Sequence, residues 1–353
     1  MKAMIAMSGG VDSSAAAYLM KQQGYDCIGC TMKLFERDAE DLPGDGKASA
    51  TGDVNDARAV AERLGMPFFV CSYTGEFREN VVMPFARAYL AGATPNPCVN
   101  CNRCLKFGTL LEKALAMGCD KLVSGHYVRL RYEEGKYHLY RALDPGKDQS
   151  YVLYNLTQEQ LAHLAFPLGE YRKDEVRRIA EEQGFVNAHR RESQDICFVP
   201  DGDYARLIES LAGSVPPPGD FVDLEGRVLG RHKGIIHYTI GQRKGLGLAL
   251  PAPLYVCRID VEKNQVTLGP HDALFSRLVS VRDVNWISGK APEGEIRVQA
   301  KLRYRQPPAE ATAEMQEDGR VLLRFTEPQR AVTPGQSAVF YQGEELLGGG
   351  IIE

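Results

Sequence analysis

The chain lacks any run of about 18 apolar residues, so nothing in the sequence reads as a membrane-spanning helix. It also lacks a leader pattern, because the apolar stretch in "MKAMIAMSGG" is short and has no cleavage-like tail. No internal repeat or low-complexity tract is present. These absences predict a cytoplasmic protein without a membrane partner, expected as a monomer. In that compartment its nine cysteines should be reduced thiols, metal ligands or transient redox partners.

Acidic residues are missing locally. The net charge is −4, which argues against non-specific nucleic-acid binding. Yet residues 226–259 hold no Asp or Glu, while Arg227, Arg231, Lys233, Arg243, Lys244 and Arg258 fall there. Residues 296–309 repeat the pattern with Arg297, Lys301, Arg303 and Arg305. Basic, acid-free segments in an acidic protein read as patches for a polyanion; the alternative is chance clustering on solvated loops.

The 353 residues are 44% hydrophobic and 25% charged, an ordinary globular balance for more than one domain. The first half alternates strand and helix. "KAMIAM" reads as a buried strand, followed by a helix from about Asp12 to Gln23 that Gly24 ends. "DCIGCTMKL", "MPFFVCSY" and "DKLVSGHY" read as further strands. "DVNDARAVAERLG", "LKFGTLLEKALAMG" and "RKDEVRRIAEEQG" read as helices. This is the grammar of a parallel sheet covered on both faces. "RLRYEEGKYHLY", residues 129–140, reads as a hairpin decorating that sheet. After the linker-like "GSVPPPGD" the chain turns to short strands with Gly and Asn turns, expected as two β modules that break near Gly269–Asp272. The expected domains are 1–204, 205–270 and 273–353.

"MIAMSGGVDSSAAAYLM" sets Ser8, Gly9, Gly10, Val11, Asp12, Ser13 and Ser14 at a strand-to-helix junction. Glycines let the backbone turn its N–H groups towards one point, and the helix N-terminus adds positive dipole, so the loop suits a phosphate. The GK[ST] ending of a Walker A loop is absent. Asp12 either caps the helix or helps hold Mg²⁺ near a pyrophosphate.

This string resembles the PP-loop of the ATP pyrophosphatases, which cleave ATP between the α and β phosphates to activate a poor oxygen leaving group. "TPNPCVNCNRCLKF", "SGHY", "DPGKDQSYVLY", "ESQDICFVPDGDY", "YTIGQRKGLG", "LRYRQ" and "PGQSAVFY" follow in order. Together they resemble the bacterial tRNA 2-thiouridylases (the MnmA/TrmU family) over essentially the whole chain. The resemblance implies a PP-loop α/β domain, a small central β domain and a C-terminal β-barrel. It implies ATP-dependent replacement of the uracil 2-oxygen of a tRNA wobble uridine by sulfur. ATP and Mg²⁺ are then required, with tRNA as substrate and a cysteine desulfurase or sulfur-relay protein upstream.

By the same resemblance, Cys197 carries a persulfide and Cys101 is the nucleophile that completes the cycle. Ala6, Met7, Ser8, Gly9, Gly10, Val11, Asp12, Ser13, Met32 and Gly125 are expected to bind ATP, and Asn96, Pro97 and Cys98 to border the target base. His126, Lys147, Asp148, Gln149, Arg303, Tyr304 and Gln336 are expected to touch tRNA. Arg303 beside Tyr304 suits that role physically, as a cation for phosphate next to an aromatic that can stack.

The cysteines leave other accounts open. Cys98, Cys101 and Cys104 stand three positions apart. Cys98, Cys101 and Cys197 are candidate ligands of a [4Fe-4S] cluster that presents the sulfur. A structural zinc site is a third account, weakened because only one short ligand run exists. Cys104 departs from the common family pattern. Two rival functions also remain: another PP-loop synthetase, which would not need the basic β half, and a zinc-containing RNA-binding module, which would not need the PP-loop.

Overall fold

The computed structural model describes residues 1–35, 50–190, 196–213, 216–249 and 252–353. Residues 192–195 of "ESQDICFVPDGDY" and Ser214 and Val215 of "GSVPPPGD" lie outside them. Among the described residues, no helix is long and apolar enough to cross a membrane.

The N-terminal domain is built on β1 (Lys2–Ala6), β2 (Asp26–Lys33), β3 (Phe68–Ser72), β4 (Lys121–Val123) and the short β7 (Leu164–Ala165). Their order is β3-β2-β1-β4-β7, and every pair is parallel. The central strand β1 explains the two-faced core. Met4 packs into one layer with Leu110, Leu122 and Leu153. Ala3 and Ile5 point the other way, into a layer with Ala15, Ala57 and Val60. Alternate residues of a strand face opposite sides, so a strand covered on both faces reads as one apolar run. The first helix, Val11–Gln22, follows β1 directly, and Gly24 (φ +82°) turns the chain back towards β2.

The "LKFGTLLEKALAMG" region differs from the simple helix its pattern predicts. The α-helix Leu110–Ala116 is preceded by a π-helical stretch, Cys101–Thr109, which continues a short helix, Pro97–Asn100. Wide turns of this kind recur where a helix must present side chains at unusual spacing.

The hairpin expectation holds for its strands and fails for its place. β5 (Val128–Glu133) and β6 (Lys136–Arg141) pair, but they extend the C-terminal sheet rather than the parallel one. Leu139 and Tyr140 of β6 register with Leu346 and Glu345 of β17 (Glu345–Ile352). Local sequence specifies a hairpin by its alternation and its turn; it carries nothing about which distant edge will accept it.

The central unit is a four-stranded sheet of β8 (Gly219–Val222), β9 (Val228–His232), β10 (Tyr255–Asp260) and β11 (Gln265–Gly269), in the order β10-β11-β8-β9. Phe221, Val256, Val266 and Leu268 from it share a core with Phe85 and Tyr89 of the helix Met83–Leu90 and Ile208 of the helix Tyr204–Ala212. The C-terminal unit takes β12 (Phe275–Trp286), β13 (Glu295–Lys301), β14 (Ala309–Met315), β15 (Val321–Arg330) and β16 (Ser337–Gln342) together with β17. Antiparallel pairing of β12 with both β15 and β17 closes it into a barrel.

Candidate active site

The loop between β1 and the first helix is held open by its neighbours. Gly9 has φ +75°, and a Cβ there would sit 2.3 Å from the Asp53 carbonyl oxygen, so neither the conformation nor the space admits a side chain. Gly125 supports the loop from β4's end: a Cβ would lie 2.9 Å from the Asp12 carbonyl carbon and the Ser13 nitrogen. Ser13 Oγ accepts from the Ser8 N–H at 3.2 Å and donates to the Gly10 carbonyl at 3.0 Å. Gly10 begins the helix and has no side chain to cap it, so among the described residues the first-turn N–H groups have no N-cap acceptor. That is the electrostatic arrangement an anion needs.

Two residues behind the loop were read from the sequence only as part of the chain after a helix. Asn187 Nδ2 donates to the Gly9 carbonyl at 2.7 Å and to Ser14 Oγ at 2.9 Å, while its buried Oδ1 has no partner among the described residues. Arg190 donates to the Gly9 carbonyl at 3.3 Å and forms ion pairs with Asp53 and Asp56. Of the expected nucleotide residues, Met7, Gly9, Val11 and Ser13 are buried in this junction, Ala6, Gly10 and Asp12 are half-buried, and Ser8 is exposed. Met32 stands half-buried near the end of neighbouring β2.

Asp12 is engaged by protein donors. Its Oδ1 accepts from Lys173 Nζ at 2.6 Å and from the Tyr127 hydroxyl at 2.7 Å. Lys173 opens the helix Lys173–Glu182, is 8% exposed, and lies over the Tyr127 ring. Sequence reasoning assigned this helix without seeing that its first residue reaches the loop. The signal was a lysine at a helix start, where the dipole disfavours a cation.

The cysteine wall forms on the π-helical stretch. Pro97 starts the short helix before it, and Asn96 caps that helix by accepting from the Cys98 N–H at 3.1 Å. Cys197 lies within electrostatic reach of both Cys101 and Cys98, so the structure brings together thiols far apart in sequence. Cys98 and Cys197 reach the surface, yet enclosing protein atoms desolvate their sulfurs. Desolvation pushes the Cys98 and Cys101 thiols up and the Cys197 thiol up to about 12. Lys106, on the same stretch, acts against that rise at all three. Its charge also reaches His126, the residue after Gly125, which links the cysteine wall to the loop. All nine cysteines are free thiols. Among the described residues no group of three or more His, Cys, Asp and Glu side chains is gathered to hold a metal ion, so the candidate cluster ligands Cys98, Cys101 and Cys197 do not form such a set. Cys104 packs against the apolar core beside Cys101.

The expected tRNA residues divide. His126 is 7% exposed, hydrogen-bonded through Nδ1 to Ser124 Oγ at 2.6 Å and packed against Phe107 and Phe166. Desolvation holds it well below its usual value, so it is a neutral interior histidine in this conformation. Asp148 binds the Ala142 and Ser150 N–H groups and the Ser150 hydroxyl, and Gln149 pairs with the Tyr127 backbone, so both shape their turn. Lys147 is half-buried on the same turn. Arg303 Nη2 donates to the carbonyls of Ile240 and Ala331 and to Thr333 Oγ1, pinning the barrel to the central sheet. Gln336 Nε2 donates to the Thr94 carbonyl at 2.7 Å, two residues before Asn96, which docks the barrel against the cysteine wall. Tyr304 is exposed, edge-on to Tyr151.

The acid-free windows are less bare than their composition. Arg227 pairs with Asp223 and Glu225, Arg231 with Asp220, and Arg258 with Asp260, all acids just outside the window. Lys233, Arg243 and Lys244 remain exposed without an ion pair among the described residues.

Comparison with known proteins follows the same three-part division. A profile described as "tRNA methyl transferase HUP domain" matches residues 1–201. One described as "tRNA methyl transferase PRC-barrel domain" matches 208–270, and one described as "Aminomethyltransferase beta-barrel domain" matches 276–352. Proteins named tRNA-specific 2-thiouridylase MnmA are similar throughout. That of Clostridium perfringens is 48% identical, covering 100% of this chain and 98% of its own. Those of Moorella thermoacetica and Magnetococcus marinus are 50% and 48% identical, each covering 99% of this chain and 99% and 98% of their own.

Proposed function

The chain belongs to the family of tRNA-specific 2-thiouridylases, and from that premise we propose that it adenylates the 2-oxygen of a tRNA wobble uridine with ATP and then displaces AMP with sulfur. The observation that supports the reading is that Cys197 lies within electrostatic reach of Cys101 and Cys98, in a domain whose Gly125 packs against a loop suited to phosphate.

In the first half-reaction the uracil O2 attacks the α-phosphorus and pyrophosphate leaves. The N–H groups at the helix start, with the exposed Ser8 hydroxyl, hold the departing phosphates, Ser13 braces the loop, and Lys173 stands beside it at Asp12. Mg²⁺, when bound, would neutralise charge on the phosphates, and the Asp12 carboxylate would be a candidate to hold it. Extracting the base from its stack costs about a few kcal/mol, which contacts from the barrel and the basic loops offset.

In the second half-reaction the terminal sulfur of a Cys197 persulfide attacks C2, and AMP leaves. The Cys101 thiolate then attacks the Cys197 sulfur, the S–S bond to the transferred sulfur breaks, and 2-thiouridine is released. A Cys101–Cys197 disulfide remains, which a thiol reductant resets. A sulfur-donor protein, a cysteine desulfurase or a relay protein, reloads Cys197. A cluster-borne sulfur finds less support, since no ligand set is gathered among the described residues.

The test is to incubate the chain with unmodified tRNA, ATP, Mg²⁺ and a sulfur source, then digest the RNA and look for 2-thiouridine. Product is expected from the wild type and not from Cys101→Ser or Cys197→Ser. Undiminished product from Cys197→Ser would sink the persulfide route.

A further inference from the structure

The β5–β6 hairpin and the barrel flank an open cleft of about 390 Å³ that the proposed reaction does not use. Its walls include Tyr137 and Trp286, the single tryptophan of the chain. Both side chains are half-buried, and Trp286 is seated on Phe340 with ring centroids 5.4 Å apart. Lys136, Lys290 and Arg297 stand at its rim, exposed and without an ion pair among the described residues. The one carboxylate in the lining, Glu345, is hydrogen-bonded to His138 Nδ1 at 2.7 Å, so the three cations outnumber it. In a chain of net charge −4, three unneutralised cations around an aromatic floor are a local exception.

The strand β16 measures its distance from the cysteine wall. Gln336, which docks beside Asn96, immediately precedes β16, and Gln342 at the other end of that strand lines the cleft. At ~3.3 Å per residue the two ends are separated by roughly 20 Å.

We infer that this cleft is a second contact for tRNA, distant from the modified base. Lys136, Lys290 and Arg297 neutralise successive backbone phosphates, while the Trp286 and Tyr137 rings receive a ribose or base edge. Spread cations suit a chain of phosphates better than one anion, and aromatic faces among them suit nucleotides without selecting a sequence. The contact holds the tRNA body while the wobble base is drawn out of its stack. The inference rests on the tRNA reading above.

The single tryptophan makes the test direct. Unmodified tRNA is titrated into the full chain while Trp286 emission is followed, and affinity is measured across a salt series. Saturable quenching is expected with the wild type. The triple variant Lys136→Ala/Lys290→Ala/Arg297→Ala should lose that quenching, and its slope of log affinity against log salt should fall by about 2 to 3. The exposed pair Lys290→Gln/Arg297→Gln serves should the triple variant fold poorly, with a slope loss of about 2. Wild type that binds and thiolates tRNA with unchanged Trp286 emission, or variants that keep the full slope, overturns the inference alone. Quenching by an acidic protein but not by tRNA overturns it in favour of a protein contact. Wild type that binds no tRNA at all brings down the functional reading with it.

Discussion

Replacing Lys173 by Met probes the interaction that ties the phosphate loop to the rest of the domain. The pair Lys173 Nζ–Asp12 Oδ1 is 2.6 Å long, with side-chain exposures of 10% and 33%. At an effective dielectric near 20 the Coulomb term at that separation is about 6 kcal/mol. A third of the Asp12 side chain faces solvent, and both groups lose hydration on pairing, so most of that term is offset. A coupling of about 1–3 kcal/mol should survive, because the Lys173 side chain is nine-tenths buried. The assay is a double-mutant cycle of Lys173→Met and Asp12→Asn, followed by urea unfolding of the N-terminal transition. Lys173→Met alone should destabilise the domain, since it leaves the Asp12 carboxylate with only the Tyr127 hydroxyl among its hydrogen bonds described above. Adding Asp12→Asn should recover part of the loss. AMP formation should fall in Lys173→Met and be partly kept in Lys173→Arg. A coupling below about 0.5 kcal/mol would refute the argument, because independent sites add to within that error.

Two further outcomes follow from titrating groups. The raised Cys197 thiol predicts that alkylation of its peptide still accelerates at about pH 10, where an ordinary thiol of pKa about 8.5 has levelled off; peptide-resolved mass spectrometry reads this, and a plateau near pH 9 contradicts the desolvation. His126 is held neutral in the fold, so the unfolded chain takes up its proton first as pH falls. Stability attributable to it is therefore present above about pH 6.5 and is lost on acidification towards the lowered value, so His126→Phe should flatten the acid limb of a stability–pH curve. An unchanged limb would mean that the ring is hydrated after all.

What the sequence disclosed and what it withheld differ by range. The loop at Ser8–Ser13 and the alternation around it were readable because each signal lies within one strand, turn and helix. Cys101 and Cys197 were paired by resemblance rather than by pattern, since no periodicity joins them. Lys173 went unrecognised because its partner Asp12 is 161 residues away. Asn187 likewise reaches back to Gly9 across 178 residues. The hairpin was found and misassigned for the same reason, as its host edge is β17. Window composition also misled. Arg227, Arg231 and Arg258 were counted as free charge, yet each folds onto an acid lying just beyond the window or across a hairpin.

Several expected tRNA residues sit on seams between units, and this changes how their substitution should be read. Arg303 reaches across to Ile240, and Gln336 reaches across to Thr94 beside the cysteine wall. Arg303 is half-buried, and desolvation with the neighbouring Arg330 charge lowers its pKa. With Nη2 held by three acceptors at a domain boundary, the guanidinium is fixed in direction and has only Nε and Nη1 to offer a phosphate. The barrel's position relative to Asn96 and Cys98 depends on the same contacts. An Arg303→Ala variant would therefore weaken tRNA binding through misplacement of the barrel as readily as through a lost contact. Arg243 and Lys244 are exposed and make no ion pair among the described residues, so a salt-slope change on replacing them carries the cleaner meaning. The fold thus separates basic residues that join the units, such as Arg303, from basic residues that face solvent, such as Arg243 and Lys244, a distinction that composition alone does not reveal.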